Sequence, residues 1–138
     1  MKAITISQPW AHLIVRGEKR VENRTWPTEH RGPLAIHAGK SLAELDAYDG
    51  PLTDRESMAF GAVVGVVDLV ACLRVNNLEW FARETAGFHW LRTHVFATGP
   101  WCWILDNVRP LAKPVPYRGQ QRLWELPDSV VMRPGGGG

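Results

Sequence analysis

Between Gly17 and Trp26 the chain reads Gly-Glu-Lys-Arg-Val-Glu-Asn-Arg-Thr-Trp, and several of these side chains could do chemistry together. In an extended strand, residues two apart share a face, so Glu22, Arg24 and Trp26 point one way and Val21, Asn23 and Thr25 the other. Neither face is an apolar stripe. A strand selected for burial alone alternates apolar and polar residues, whereas one that lines a cleft carries charge where a ligand needs it. Lys19 would supply a flexible point charge, and Arg24 a planar fork suited to a phosphate or a base edge. Glu22 could orient Arg24, accept a hydrogen bond from a base amino group, or act as a general base, which makes Lys19 and Glu22 the candidate catalytic pair. The plainer reading is an edge strand whose Glu22 and Arg24 form a surface ion pair of little energetic worth.

Other candidates surround this segment. Ser7, Gln8 and Trp10 open a short helix whose N-terminal amides would favour an anion. Trp10 and Trp26 could stack on bases, worth roughly 1–3 kcal/mol per base, although seven tryptophans in one chain cannot all do so and core packing competes at both positions. Arg31, His37 and Lys40 extend the basic end, with His37 readable either as ligand-facing or as a hydrogen-bonded structural histidine. Arg118 and Gln121 would approach the cleft from the C-terminal side. Asp68, an acid inside an apolar run, needs a partner if buried, and Arg24 or a backbone turn is the simplest one.

The elements that must position these groups follow from periodicity. Lys2–Ile6 reads as a strand. In Gln8–Arg16, Trp10, Leu13 and Ile14 fall at i, i+3 and i+4, with Ser7 as N-cap and Gly17 just past the end, which predicts an amphipathic helix. Val21–Trp26 and Leu34–Ala38 read as strands, the second with Leu34, Ile36 and Ala38 on one face and His37 on the other. Ser41–Tyr48 fits a helix capped by Ser41 with Glu44 in a capping box. The Val-rich run Phe60–Val75 predicts the central strand, covered on both faces. Leu78–Thr85 reads as helix, 86–99 as irregular, and Trp101–Val108 as strand. Pro110, Pro114 and Pro116 predict an extended connection before a closing strand at Leu123–Leu126. The pattern predicts one domain over residues 1–130 and a disordered Gly-rich tail over 131–138.

Composition sets the bounds. A chain of 138 residues is expected to bury roughly two thirds of its unfolded surface, and the apolar share is that of a globular domain. No apolar run reaches the about 20 residues a membrane span requires, and no secretory leader is evident, so a cytoplasmic location and no membrane partner are expected. Cys72 and Cys102 read as buried free thiols, and His12, His30, His37, His89 and His94 show no ligand spacing, so neither a metal nor a cofactor is expected. The net charge of +2 hides a segregation: residues 1–40 hold seven Lys or Arg against three acids, 41–106 four against nine, and 107–138 five against two. If the two ends meet, they form a positive face for phosphates; simple solubility is the alternative.

The ordered set Ile6-Ser7-Gln8-Pro9-Trp10-Ala11, Gly17-Glu18-Lys19-Arg20-Val21-Glu22-Asn23-Arg24, His30-Arg31-Gly32, Ile36-His37-Ala38, Gly65–Leu69 and Gly119-Gln120-Gln121-Arg122-Leu123-Trp124 resembles the ASCH family, whose signature is G-x-K-x-x-E-x-R. That resemblance covers most of residues 4–127. It implies an α+β fold, a small mixed six-stranded β-barrel of PUA-like type with two to four short helices, and a cleft beside the barrel. It also implies a nucleic-acid partner, RNA or single-stranded DNA; the sequence does not fix an oligomeric state, and a monomer is the favoured expectation. The family includes proteins that cleave single-stranded RNA and amidohydrolases acting on acetylated cytidine. The latter carry a threonine nucleophile where this chain has Glu22, so hydrolysis, if present, is expected to be ribonuclease chemistry without a metal, with His37 as a candidate acid.

Overall fold

The computed structural model describes residues 1–52 and 54–132. Six strands form one sheet in the order β2-β5-β4-β3-β1-β6, where β1 is Lys2–Ile6, β2 Val21–Arg24, β3 Gly32–Ala38, β4 Ala62–Arg74, β5 Trp101–Pro116 and β6 Leu123–Glu125. β1 and β3 run parallel while the remaining pairs are antiparallel, and the sheet curls into a half-barrel. Three short helices accompany it: α1 (Trp10–Val15), α2 (Ala43–Ala47) and α3 (Leu78–Glu84). The α+β six-stranded fold expected from the sequence is the one found.

β4 is central, as its Val-rich composition predicts. It pairs with β3 on one side and β5 on the other, and its first six residues are buried. α1 lays Ala11 and Ile14 onto this sheet, where they meet Ile4, Ile6, Leu34, Ile36, Leu69 and Trp103 in the main core. A second cluster lies under α3, from Val21, Ala71, Leu78, Ala82, Leu91 and Ile104. A third joins Ala3, Ala35 and Val63 to Trp124, Leu126 and Val130, so the two ends of the chain do meet.

Several local expectations need correction. Ser7 does not cap α1 with its hydroxyl; its carbonyl takes the amides of Trp10 and Ala11, while the side-chain oxygen of Gln8 accepts from the His12 amide at 2.9 Å. The N-terminal amides of α1 are therefore already engaged and offer no anion site. Ser41 and Glu44 form no capping box: α2 starts later, at Ala43, and Glu44 reaches away to Trp10. The strand beginning at Trp101 does not stop at Val108 but runs through Pro110, Pro114 and Pro116, with irregularities in its register against β4. Asp68 pairs with Arg109 at 3.0 Å and Asn107 at 3.0 Å rather than with Arg24, and the Arg109 hydrogen bond, then that of Asn107, lowers its pKa. Of the expected tail, 133–138 lies outside the described residues. Among the described residues no helix is long and apolar enough to cross a membrane.

Candidate functional site

α1 ends because Gly17 takes φ +80°, a left-handed conformation that a side chain would strain. The amides of Gly17, Glu18 and Lys19 then return to the carbonyls of Ile14 and Leu13, which turns the chain sharply into β2. This turn places Lys19 beneath Trp10 and beside the strand that carries Glu22 and Arg24.

Lys19 is not the flexible point charge its type suggests. Only 4% of it is exposed; its ammonium donates to the Val21 carbonyl, lies 3.4 Å from Glu22 Oε1, and sits about equally far from the rings of Trp10 (5.5 Å) and Phe96 (5.6 Å). Burial lowers its pKa, an effect that the adjacent Glu22 carboxylate opposes. Glu22, 8% exposed, accepts on its other oxygen from Arg24 Nε at 3.0 Å, and Arg24 Nη2 lies 2.9 Å from the same oxygen as an ion pair. Arg24 Nη2 also donates to the Thr5 carbonyl at 3.0 Å. The pair is therefore no surface ion pair: Lys19 and Glu22 are buried and Arg24 half-buried, with Arg24 Nη1 left without a partner among the described residues.

This set forms one wall of a cavity of about 500 Å³, together with Thr5, Ser7, Trp10, Glu44 and the segment Val95–Thr98. Trp10 donates from Nε1 to Glu44 Oε2 at 3.3 Å and meets Tyr48 and Phe96 edge-on. Asn23 fixes the far wall. Its amide donates to the Phe96 carbonyl at 2.7 Å, and its oxygen accepts from the amides of Thr98 (3.0 Å) and Gly99 (2.8 Å). His94, at the base of the same segment, accepts from the Arg20 amide at 2.9 Å and packs between Trp90 and Phe96. Burial, then the charges of Lys19 and Arg20, lower its pKa.

The remaining candidates do not join this wall. His37, Lys40, Arg118 and Gln121 line a second cavity of about 700 Å³, which also includes Thr5. His37 is 2% exposed, with Nδ1 3.2 Å from Thr5 Oγ1 and Nε2 2.6 Å from the Tyr117 carbonyl, so both ring nitrogens are engaged and it is not placed to serve Lys19 and Glu22 as an acid. Gln8 is buried in the packing behind α1, where it also donates to the Ala59 carbonyl at 2.8 Å. Trp26 packs edge-on against Trp103 and is covered by the Arg122 guanidinium, 4.2 Å from its ring centre. Arg31 turns back onto the carbonyls of Thr28 and His30. The first cavity is charge-balanced, Lys19 and Arg24 against Glu22 and Glu44, and the single basic cleft expected from the sequence is two cavities, of which only the second lacks acids.

Sequence reasoning missed Asn23, Thr5, Phe96 and Glu44. The face rule set Asn23 apart from Glu22 and Arg24, where the structure has it, but its partners and Phe96 lie in a stretch without periodicity. Among the described residues, no group of three or more His, Cys, Asp or Glu is arranged to hold a metal.

The family model described as the ASCH domain matches residues 4–126. Activating signal cointegrator 1 of Homo sapiens is 28% identical, the alignment covering 92% of this chain and 22% of that protein. The Mus musculus protein of the same name is 30% identical with the same coverage, so the chain spans about a fifth of the length of these relatives. Among solved structures, ASCH from Zymomonas mobilis superposes with a TM-score of 0.56 at 20% identity, over 93% of this chain and 88% of that one, which is a likeness of fold.

Proposed function

Because the chain belongs to the ASCH domain family, we propose that it binds single-stranded nucleic acid, RNA or DNA, by taking one base into the Lys19–Glu22–Arg24 cavity. The observation that carries this is the buried ionic set opening onto that cavity. Buried ion pairs are weak contributors to stability, since desolvation offsets their attraction, so the buried Lys19 and Glu22 with a half-buried Arg24 along one cavity wall point to a ligand. The volume suits a small planar group. Glu22 has lone pairs to accept from an amino group and Arg24 Nη1 has hydrogens to donate beside it. That acceptor–donor order matches the edge of adenine or cytosine, with Trp10 as the aromatic wall.

The test is fluorescence anisotropy of a labelled single-stranded RNA, its DNA equivalent and a duplex. Single strands should bind and the duplex should not. Trp10→Ala should weaken binding about 5- to 150-fold, the equivalent of roughly 1–3 kcal/mol of stacking, and Arg24→Gln should weaken it too. Wild-type affinity in both variants would overturn the reading.

Lys19 supports a second reading, hydrolysis in the same cavity. Burial lowers the Lys19 pKa, which is the direction a general base requires, and with Glu22 in place of a hydroxyl nucleophile, ribonuclease chemistry fits better than acyl transfer. Labelled single-stranded RNA and acetylated cytidine, incubated with wild type, Lys19→Ala and Glu22→Ala, separate the cases. Equal turnover by all three proteins would remove the cavity from any catalysis.

A further inference from the structure

Cations in this protein are mostly matched. Lys2, Arg16, Lys19, Arg20, Arg24, Arg55, Arg83, Arg92 and Arg109 each lie within 4.0 Å of a carboxylate. Of those without such a partner among the described residues, Arg74 and Arg122 lie over tryptophan rings, Arg31 holds backbone carbonyls, and Lys113 lines neither cavity. Lys40 and Arg118 remain. Both are exposed, and both line the second cavity, where no Asp or Glu is present.

The backbone there is also shaped for an anion. Residues 117–122 link β5 to β6, and Gly119 brings that link flush onto the cavity floor: a Cβ at this position would lie 2.7 Å from both His37 Cε1 and Thr5 Oγ1. The amides of Arg118, Gly119, Gln120 and Gln121 find no acceptor among the described residues. The floor is uncharged at neutral pH: the Tyr117 carbonyl can only accept and takes the His37 Nε2 proton, and burial, the largest influence, holds the His37 pKa below its ordinary 6.5, so Nδ1 accepts from the Thr5 hydroxyl. Two unmatched cations, several unengaged amides and a neutral floor are the ingredients of a phosphate site.

Thr5 joins the two cavities. Its carbonyl accepts from Arg24 on one side and its hydroxyl meets His37 on the other, so one residue's thickness separates them. We infer that the second cavity holds a backbone phosphate of the same strand, next to the nucleotide whose base occupies the Lys19–Glu22–Arg24 cavity. This assignment rests on the base-binding reading above and adds a second contact of different chemistry to it.

The experiment compares wild type, Lys40→Gln/Arg118→Gln and Trp10→Ala in binding a short labelled single-stranded RNA across a salt series, with a methylphosphonate-linked version as the neutral-backbone control. Neither Lys40 nor Arg118 holds an ion pair, so the double variant should fold as wild type does, checked by circular dichroism. Each neutralised phosphate contributes about 0.7 to the slope of log K against log salt on a single strand. With one phosphate at the site, the double variant should therefore lose about 0.7 from that slope and bind about fivefold more weakly near 0.1 M salt. Trp10→Ala should lose affinity with its slope unchanged, and the methylphosphonate strand should no longer distinguish the double variant from wild type. An unchanged slope in the double variant would overturn the phosphate site while leaving the base cavity standing. A normal affinity in Trp10→Ala with a reduced slope in the double variant would do the reverse. If wild type binds no strand, titration of ¹⁵N-labelled protein with inorganic phosphate and with uridine monophosphate decides: amide shifts at Gly119 and Gln120 keep the cavity as a site for free phosphate and remove the strand from the assignment, and their absence overturns it.

Discussion

Replacing Glu22 by Gln tests whether the ionic set is as buried and interdependent as it looks. The substitution keeps the shape and one acceptor for Arg24, but leaves the Lys19 ammonium in an apolar surround with only the Val21 carbonyl and two aromatic rings for company. Removing one partner of a buried pair costs about 3–5 kcal/mol; the retained amide oxygen argues for the lower end, about 3 kcal/mol. For a domain of this size that corresponds to a fall in Tm of roughly 12 °C. The loss should also depend on pH. Burial already holds the Lys19 pKa below the ordinary 10.5, and Glu22 is the main influence raising it. Without Glu22 it falls further, so the folded state holds the Lys19 proton less well than the unfolded state does, and stability rises with pH up to the unfolded value. The deficit of Glu22→Gln relative to wild type should thus be fullest at neutral pH and shrink as pH approaches 10.5. Thermal unfolding followed by circular dichroism from pH 6 to 10 measures this, and Lys19→Met in the Glu22→Gln background should recover part of the loss at pH 7. A Tm within about 3 °C of wild type, or a deficit that does not vary with pH, would refute the reasoning.

Two further outcomes follow from the far wall of the cavity. Asn23→Ala removes three hydrogen bonds to the segment Phe96–Gly99; at about 1 kcal/mol for each partner left unsatisfied it should destabilise by about 2–3 kcal/mol, and the Thr98 and Gly99 amides should exchange with solvent faster by hydrogen-exchange measurement. His94, whose folded pKa is below the ordinary 6.5 because burial and nearby cations disfavour its protonation, binds its proton more readily when unfolded. Stability should therefore fall as pH drops below about 6.5, level off beneath the folded value, and vary less in His94→Gln, as chemical denaturation at several pH values would show.

The sequence revealed more of the scaffold than of the site. α1 was legible because Trp10, Leu13 and Ile14 recur with helical spacing, and β4 because a Val-rich run of that length has few other uses. The cap of α1 was misread because Ser is the usual choice, and nothing local shows that Gln8 reaches the His12 amide. β5 was cut short because proline argues against a central strand, a rule that does not apply where β2 flanks only Trp101–Ile104 and leaves the rest of β5 at the margin. The signature segment located Lys19, Glu22 and Arg24, yet their burial depends on Trp10 and Phe96. Phe96 comes from a stretch that periodicity cannot place. Asn23 shows the same limit: its partners lie over seventy residues away, so its role exists only after folding. The division of the basic residues between two cavities was likewise invisible, because it is set by where Thr5 stands between β3 and β6.

Those three prolines at the margin have a consequence for how the molecule lives among its copies. Pro110, Pro114 and Pro116 all fall in the part of β5 that pairs with β4 alone, which leaves the side away from β4 open. Beyond Ile104 that side has no neighbouring strand, and an open side of a curled sheet is where a stray strand from another chain would add and seed aggregation. None of the three prolines has an amide hydrogen to donate to such a strand. An open half-barrel can thus stay uncapped along this side, because its backbone there has been made a poor template.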